Sequence, residues 1–308
     1  MDFKGLDILN GYQFSNVQLN HIMNTAASYE KRVKSGEVIH DLDGMVVATL
    51  FFEPSTRTRL SFEAAINRTG AKCISMADAG SSSSAKGETM GDTIRTVDGY
   101  VDVIVMRHPE KGSAQTAADA AEHPVINGGD GAGQHPTQAL LDIYTMRKEQ
   151  GHIGGQTVTL LGDLKHGRTV HSLSYFMQQF GNRMIFASPE ALKMPEDITK
   201  DLRDRGADIV ETEDVKDALS QSDFVYVTRV QRERFSDPAE YERCKGSYIV
   251  DRELLKAAKK GIVILHPLPR VDEIALDVDS YEGAAYFRQA HNGMYLRMAL
   301  LGLVTGRA

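Results

Sequence analysis

A short segment that directly follows an apolar run concentrates hydroxyl and guanidinium side chains. Its members are Ser55, Thr56, Arg57, Thr58 and Arg59. A helix start offers free backbone N–H groups and the positive end of the helix dipole. With hydroxyls and arginines added, such a start is well suited to binding phosphate. The spacing therefore predicts an anion site, although a Ser- and Thr-rich helix start taken alone more often only caps the helix.

The surrounding residues predict a strand and then a helix at this segment. Residues 45–52 form a continuous apolar run rich in β-branched residues, which is typical of a buried parallel strand. Glu53 and Pro54 interrupt that run, and Ser55 is a candidate N-cap at the start of a helical pattern. We therefore expect the hydroxyls and Arg57 to lie where a strand passes into a helix.

Further polar residues follow predicted strands along the chain. Arg107 comes directly after an apolar run at 101–106, and a glycine-rich turn begins at Gly128. His135 and Gln138 lie three residues apart at the start of a predicted helix, so they share one face. A neutral imidazole at a helix start can donate its N–H to a carbonyl oxygen as negative charge builds there. Taken alone, Arg107 and His135 fit structural roles at least as well.

The second half places two more arginines near the ends of predicted strands. Arg168 opens a helix after the strand at 157–161, and Arg229 follows the strand at 224–228. Two guanidinium groups suit a ligand with two carboxylates, because each can bind one carboxylate through two hydrogen bonds. This half is therefore suited to a dicarboxylic ligand.

Predicted strands and helices alternate through both halves of the 308 residues. This pattern predicts an α/β fold with two doubly wound parallel-sheet domains. Ligands of such sheets bind at the carboxyl ends of the strands, so we expect the active site in the cleft between the domains. The first domain is expected to comprise 1–135 and 291–308, and the second 150–285. Helices at about 136–149 and 284–303 are expected to bridge them.

Composition narrows the classes of function. The content of 42% hydrophobic and 25% charged residues is that of a soluble globular protein. The net charge of −7, without a cluster of Lys and Arg, argues against nucleic acid as the main ligand. No apolar run approaches the roughly 18 residues that span a bilayer, and no signal-peptide pattern is present. A cytoplasmic location without membrane attachment is therefore expected.

Several chemical motifs are absent from the sequence. Only Cys73 and Cys244 are present, too few for a disulfide framework or a four-cysteine zinc site. There is no phosphate loop of the G-x-x-x-x-G-K-[ST] type, no G-x-S-x-G elbow and no H-E-x-x-H helix. We therefore expect catalysis by positioning and electrostatics, with no covalent nucleophile, no metal and no cofactor.

The chain resembles the catalytic chains of the aspartate carbamoyltransferase family in five segments. They are 51–59, 135–138, 162–173, 228–231 and 266–270. Each segment alone is modest evidence, but the five together follow the family's order and spacing over essentially the whole chain. The resemblance implies transfer of a carbamoyl group from carbamoyl phosphate to the amine of L-aspartate. The products would be N-carbamoyl-L-aspartate and phosphate, in de novo pyrimidine synthesis.

The resemblance also implies a carbamoyl phosphate site, in the first domain and at one later loop. Its residues would be Ser55, Thr56, Arg57, Thr58, Arg107, His135, Gln138, Leu268 and Pro269. Thr58, Arg107 and His135 would be catalytic by polarising the carbamoyl carbonyl. Gln138 would contact the carbamoyl amide, and the backbone at Leu268 would orient the reacting groups.

The same resemblance implies an aspartate site and a homotrimer with shared active sites. Arg168 and Arg229 would take the carboxylates of aspartate, with Gln231 assisting. In this family a serine and a lysine from one loop reach into the neighbouring subunit's site. The Gly-Glu-Thr sequence that follows identifies Lys86 as that lysine, and it would also contact aspartate. Ser82 is the expected serine, although four successive serines offer a hydroxyl there.

Rival functions remain open at this point. The nearest is a carbamoyltransferase with ornithine or a related amine as acceptor. Two arginines would suit ornithine poorly because it has one carboxylate. Another is a chain that binds a phosphate compound only for assembly or regulation. A nucleotide-dependent oxidoreductase is weaker, since no dinucleotide fingerprint follows a strand. Some relatives also pair catalytic trimers with separate regulatory chains, and this sequence does not say whether such a partner exists.

Overall fold

The computed structural model describes residues 2–77, 87–131, 133–231, 235, 237–246 and 248–308. The chain forms two compact units. The first comprises Met1–Leu141 and His291–Ala308, and the second comprises Asp142–Ala290. Among the described residues, no helix has both the length and the apolar character that a membrane crossing requires.

Strands and helices alternate along both units. The earlier elements are α1 (Asn16–Lys34), β1 (Val46–Phe51), α2 (Thr56–Arg68), β2 (Lys72–Met76), α3 (Met90–Asp98), β3 (Val103–His108), α4 (Ser113–Ala120), β4 (Val125–Asp130) and α5 (Pro136–Gln150). The later ones are β5 (Thr157–Leu161), α6 (Arg168–Gln179), β6 (Arg183–Ala187), α7 (Glu196–Asp204), β7 (Ile209–Thr212), α8 (Val215–Gln221), β8 (Phe224–Val227), α9 (Pro238–Cys244), β9 (Val263–Leu265) and α10 (Tyr286–Val304).

The first unit contains a four-stranded parallel sheet in the order β2-β1-β3-β4. The chain moves from β1 outward to β2 and then returns to the other side of β1 to form β3. The space beyond the carboxyl ends of β1 and β3 is therefore a topological switch point, where such sheets bind ligands. Phe51 at the end of β1 is in register with Arg107 in β3.

The second unit contains a five-stranded parallel sheet in the order β7-β6-β5-β8-β9. Its switch point lies between β5 and β8, where Leu161 is in register with Val227. The N–H of Thr228 donates to the carbonyl of Leu161 at 2.8 Å. A Cβ at Gly162 would lie 2.5 Å from the carbonyl oxygen of Thr228, so only glycine permits this close approach. The two segments that follow these strands are thereby held side by side.

Burial explains why these segments are strands. The central strands β1, β5 and β8 are almost wholly buried, as expected where helices cover both faces of a parallel sheet. Each fully buried Val, Leu or Ile contributes about 1.5–3 kcal/mol to folding. The edge strands β2 and β7 are largely exposed or half-buried. The predicted α/β architecture with two parallel sheets is confirmed.

Two sequence expectations near the first switch point are wrong in detail. Arg107 was expected to follow its strand, but it lies inside β3, which runs to His108. The glycine-rich turn was expected to begin at Gly128, but β4 continues to Asp130. Pairing between the two strands overrides the turn tendency of glycine, since His108 is in register with Asp130. The register of the pair shifts between Met106 and His108, at the position of Arg107.

Candidate active site

The start of α2 carries the predicted anion-binding residues. Ser55 is its N-cap, with an extended backbone at φ −158° and ψ 95°. Among the described residues, its hydroxyl makes no capping hydrogen bond. Thr58 is buried within the first turn at 6% exposure, whereas Thr56 and Arg57 are exposed. The helix start therefore presents N–H groups, hydroxyls and positive charge without a carboxylate of its own in the first turn.

Arg107 is the centre of a buried polar group in the first unit. Its side chain is 7% exposed, and Nη2 lies 2.7 Å from Oε2 of Glu53. Nη1 donates to the carbonyl of Gly128 at 3.1 Å. Nη1 also lies 3.5 Å from Nε2 of His135, at the outer limit of a hydrogen bond. Because a guanidinium can only donate, this contact places the lone pair of Nε2 towards Arg107.

Gly129 is needed for the contact between Arg107 and His135. Its φ of +121° belongs to the region that favours glycine. A Cβ there would lie 2.7 Å from Nη1 of Arg107 and 3.4 Å from Cδ2 of His135. The N–H of Gly129 donates to Oδ1 of Asn127 at 2.7 Å, which fixes this backbone. Any larger residue would therefore displace the guanidinium.

Thr58 approaches the same group from α2. A Cβ at Gly128 would lie 3.6 Å from Cγ2 of Thr58 and 3.7 Å from Cβ of Arg107. The N–H of Phe52 donates to the carbonyl of Arg107 at 2.8 Å, which joins the segment after β1 to β3. The first unit thus gathers the helix start of α2 and the Arg107 side chain at its switch point.

The segment before α5 positions His135 and Gln138. Asp130, at 7% exposure, accepts from the N–H of Gly112 at 3.0 Å and also from the N–H of Gln134. Pro136 begins α5, where its missing N–H costs no hydrogen bond. His135 and Gln138 are 4% and 9% exposed. The predicted helix start is confirmed, and it places both side chains in the interior.

In the second unit, Asp163 organises the two segments beyond the switch point. This fully buried carboxylate accepts from the backbone N–H of His166 at 2.9 Å and lies 3.1 Å from its Nδ1. It also accepts from the N–H of Gln231 at 3.4 Å. The side-chain amide of Gln231 donates to the carbonyl of His166 at 3.3 Å. Arg168 and Arg229 extend from these same segments, and both are half-buried.

The segment after β9 contains Leu268 and Pro269, which are joined by a cis peptide bond. Leu268 has a φ of +56°, a left-handed conformation that costs a non-glycine residue about 1–3 kcal/mol. Its N–H donates to Nδ1 of His266 at 2.8 Å. The imidazole in turn lies 2.6 Å from Oε1 of Glu273 through Nε2.

Two family models match nearly the whole chain. The carbamoyl-P binding domain of aspartate/ornithine carbamoyltransferases matches residues 7–148, and the Asp/Orn binding domain matches 154–304. The chain belongs to the aspartate/ornithine carbamoyltransferase family. The predicted resemblance to this family is confirmed.

Relatives within the family are similar over their full length. An aspartate carbamoyltransferase catalytic subunit from Thermococcus gammatolerans is 50% identical over 306 residues, covering 99% of both chains. A subunit of the same name from Methanopyrus kandleri is 50% identical over 305 residues, covering 99% of this chain and 98% of that one.

Solved structures of the family have the same fold. Aspartate transcarbamoylase from Trypanosoma cruzi, in complex with carbamoyl phosphate and aspartate, superposes with a TM-score of 0.93 at 40% identity. The match covers 98% of this chain and 97% of that one. The catalytic subunit from M. jannaschii has a TM-score of 0.91 at 45% identity, covering 97% and 98%.

Three residues of this family member's site were not singled out from the sequence. Glu53 neutralises Arg107, Gly129 leaves room for it, and Asp130 holds the segment that leads to His135. The one local indication of a role for Glu53 was its position in the sequence, two residues before a cluster of hydroxyl side chains. The other two depend on contacts that only the folded chain makes.

Two expected site residues, Ser82 and Lys86, lie outside the described residues. In the described part of the chain, no group of three or more His, Cys, Asp or Glu side chains is arranged so that it could bind a metal ion.

Proposed function

We propose that this chain transfers the carbamoyl group of carbamoyl phosphate to the amine of L-aspartate. The products are N-carbamoyl-L-aspartate and phosphate, and the reaction serves de novo pyrimidine synthesis in the cytoplasm. The observation that carries the proposal is the buried Arg107, placed beside His135 and Thr58 at a switch point next to the start of α2. Membership of the family and the full-length similarity to aspartate carbamoyltransferases support the choice of substrates.

Carbamoyl phosphate is bound mainly by the first domain, which comprises 1–135 and 291–308. Its phosphate is bound by the first turn of α2, through Ser55, Thr56, Arg57 and Thr58. Gln138 binds the carbamoyl amide, and the backbone at Leu268 and Pro269 orients the reacting groups.

Carbamoyl transfer depends on the hydrogen-bond donors around the carbamoyl carbonyl oxygen. The aspartate amine attacks the carbamoyl carbon, and negative charge grows on the carbonyl oxygen. Thr58, Arg107 and His135 donate to that oxygen. The bond between the carbamoyl carbon and the bridging oxygen then breaks, and phosphate leaves with the bonding electrons and takes up the proton that the attacking amine loses. Because donors held in place need no reorganisation, they stabilise the transition state more than water does.

Aspartate is bound by the second domain, 150–285. Arg168 and Arg229 bind its two carboxylates, with Gln231 and Lys86 assisting. Their half-buried side chains extend from segments that Asp163 holds together. Each charge-assisted contact of this type contributes about 1.5–3 kcal/mol.

A direct assay tests the activity and its nearest rival. The purified chain is incubated with carbamoyl phosphate and either L-aspartate or L-ornithine, and ureido product is measured by colorimetry. Product from aspartate alone supports the proposal. Product from ornithine alone would overturn the choice of acceptor, and binding of carbamoyl phosphate without turnover would indicate a non-catalytic chain.

The active form is proposed to be a homotrimer in which Ser82 and Lys86 enter the neighbouring subunit's site. They follow β2, an edge strand whose Ile74 is 42% exposed. Exposed apolar residues beside an unpaired strand edge are typical of surfaces that another chain covers. Separate regulatory chains are compatible with this assembly, and sizing the protein with co-expressed neighbours tests for them.

Mixing two inactive variants tests the shared sites. Lys86→Ala and Arg57→Ala chains are each expected to be nearly inactive as homotrimers. Hybrid trimers should regain activity, because some subunit borders then have both side chains intact. Absence of recovery after verified subunit exchange would contradict a lysine supplied by the neighbour.

A further inference from the structure

A buried imidazole holds the backbone at Leu268. The N–H of Leu268 donates to Nδ1 of His266 at 2.8 Å. With a φ of +56°, Leu268 adopts a conformation that leucine seldom takes unless its surroundings impose it. His266 is 2% exposed, so water does not compete for this bond. The ring of His266 therefore stabilises a backbone conformation that the sequence at Leu268 does not favour.

This hydrogen bond requires one particular tautomer of His266. A backbone N–H can only donate, so Nδ1 must offer a lone pair and the ring proton must be on Nε2. Nε2 lies 2.6 Å from Oε1 of Glu273, which is 6% exposed. The partner of one ring nitrogen decides which nitrogen carries the proton. Glu273 is therefore the group that keeps Nδ1 free of a proton.

Glu273 is itself fixed as an acceptor on both oxygens. Its Oε2 accepts from the N–H groups of Val271 and Asp272, each at 3.1 Å. Burial alone would raise the pKa of this carboxyl. The hydrogen bond from His266 and the backbone N–H groups outweigh burial and leave the pKa of Glu273 below its ordinary value. The ionised carboxylate is thus the stable form beside His266.

The main chain of His266 is held independently of its ring. Its N–H donates to Oε1 of Gln289 at 2.8 Å, and Nε2 of Gln289 donates to Oδ1 of Asp142 at 2.7 Å. Both partners are buried, at 1% and 0% exposure. A change at Glu273 should therefore alter the ring of His266 while this main-chain position is retained.

We propose that Glu273 is a positioning residue for carbamoyl transfer, acting through the tautomer of His266 on the backbone of Leu268. The inference rests on the proposed function, because that function gives the Leu268 backbone its role. Glu273 acts through His266 and makes no contact with substrate in this scheme.

Glu273→Gln is the sharpest test. The N–H groups of Val271 and Asp272 retain the amide oxygen, so the amide NH₂ faces Nε2 of His266. A donor at that position moves the ring proton to Nδ1, where it opposes the N–H of Leu268. We expect kcat to fall about ten- to a hundredfold, the range found for outer partners of ligating histidines. The KM for aspartate should change much less.

Asp98→Asn is the matched control. Asp98 accepts from the N–H groups of Glu122 and His123, each at 3.1 Å, and lies 3.2 Å from Nδ1 of His123. It is 8% exposed, so the same chemical change is made at a similarly buried carboxylate. Among the described residues, the hydrogen bonds of the Asp98 carboxylate reach only Glu122 and His123, neither of which is proposed to bind substrate, and turnover should stay at the wild-type level.

Two replacements of His266 separate the functions of its ring nitrogens. Asparagine places its oxygen near the position of Nδ1 and keeps an acceptor for Leu268. Glutamine reaches the position of Nε2 and keeps a donor for Glu273, but it offers Leu268 no acceptor. We expect His266→Asn to retain more turnover than His266→Gln. Nitrogen NMR of the wild-type imidazoles should show His266 protonated on Nε2 and unprotonated on Nδ1.

Each outcome decides the inference. Protonation of His266 on Nδ1 in the wild-type protein overturns it, even if the Glu273 variant does not fold. Equal turnover of Glu273→Gln and Asp98→Asn also overturns it, as does greater activity of His266→Gln than of His266→Asn. If the wild-type protein forms no N-carbamoyl-L-aspartate, the proposed function fails separately, and the positioning role of Glu273 in carbamoyl transfer fails with it.

Discussion

The two units use the same switch-point topology but present their charged groups differently. In the first, Arg107 lies inside a strand, is 7% exposed, and contacts a carboxylate, a carbonyl and an imidazole. In the second, Arg168 and Arg229 are half-buried and extend from segments beyond the strands. The groups proposed for chemistry are thus packed in place, and those proposed for amino-acid recognition are more accessible.

This difference follows from what each ligand requires. Charge that develops on a reacting oxygen is stabilised best by donors that are already oriented in a dry environment. Recognition of two carboxylates on a small amino acid tolerates side chains that adjust on binding. Asp163 meets that need by ordering the backbone of both segments while leaving the arginines half-buried. Substitutions in the two units should therefore change different kinetic quantities.

The largest effect is expected for Arg107→Ala. Loss of one donor to a developing oxyanion typically lowers turnover about 10²–10³-fold, or roughly 3–4 kcal/mol. Turnover should fall more than aspartate binding weakens, and His135→Ala should show the same pattern. Steady-state kinetics with both substrates measures the split. Arg95→Ala, at an exposed arginine of α3, is the control. Unchanged turnover in the Arg107 variant would contradict its role.

Arg229→Ala should weaken aspartate binding more than it lowers turnover. Loss of one charge-assisted contact to a carboxylate should raise the KM for aspartate about ten- to a hundredfold. Saturating aspartate should restore much of the turnover, because the donors of the first unit are intact. Arg203→Ala, at an exposed arginine that pairs with Glu211 at 3.0 Å, should behave as wild type. A fall in turnover at saturation that equals the Arg107 effect would remove the distinction between the units.

Gly129→Ala tests how tightly the first unit is packed. The added Cβ would lie 2.7 Å from Nη1 of Arg107 at a φ of +121°, so both strain and displacement are expected. The free energy of unfolding should fall by about 1–3 kcal/mol, and turnover should fall with it. Gly36→Ala is the control, because Gly36 also has a positive φ, of +78°, but its Cβ would meet no described atom within 4 Å. If that variant lost as much activity, displacement of Arg107 would not be the cause.

The smallest effect concerns ion pairs of residues to which no substrate contact is assigned, and here the two units should not differ. Arg32 donates to Asp41 at 2.9 Å, and its hydrogen bond holds the pKa of Asp41 below the ordinary value. In the second unit, Arg270 lowers the pKa of Asp279 in the same way. A lowered folded-state pKa stabilises the protein above the unfolded pKa of about 3.9, and this contribution is lost as the pH falls through the folded value.

Asp41→Asn and Asp279→Asn should therefore each lower stability at neutral pH by at most about 1 kcal/mol. The difference from wild type should vanish in acid, once the wild-type carboxylate is protonated. Urea unfolding at both pH values measures this, with the exposed Asp43→Asn as control. A difference that persists in acid would assign the effect to packing and not to charge.

Sequence patterns were sufficient for the architecture and for residues that depend on local order. An apolar run located the strand at 157–161 to the residue, because buried parallel strands are continuously apolar. Ser55 and Arg168 were found because each lies at a helix start after a strand, a relation that is written along the chain. The resemblance to the family then indicated which substrates to expect.

Only the tertiary structure decided the contacts that orient those side chains. Arg107 was expected beyond its strand, and pairing of β3 with both neighbours placed it inside. The partners Glu53 and Arg107 are 54 positions apart, and the link from Glu273 through His266 to Leu268 follows the fold of one loop. Periodicity reports which residues are buried, but it carries no information on which buried polar groups meet. That pairing is set by strand order and register, and it determines where protons and charges lie in the site.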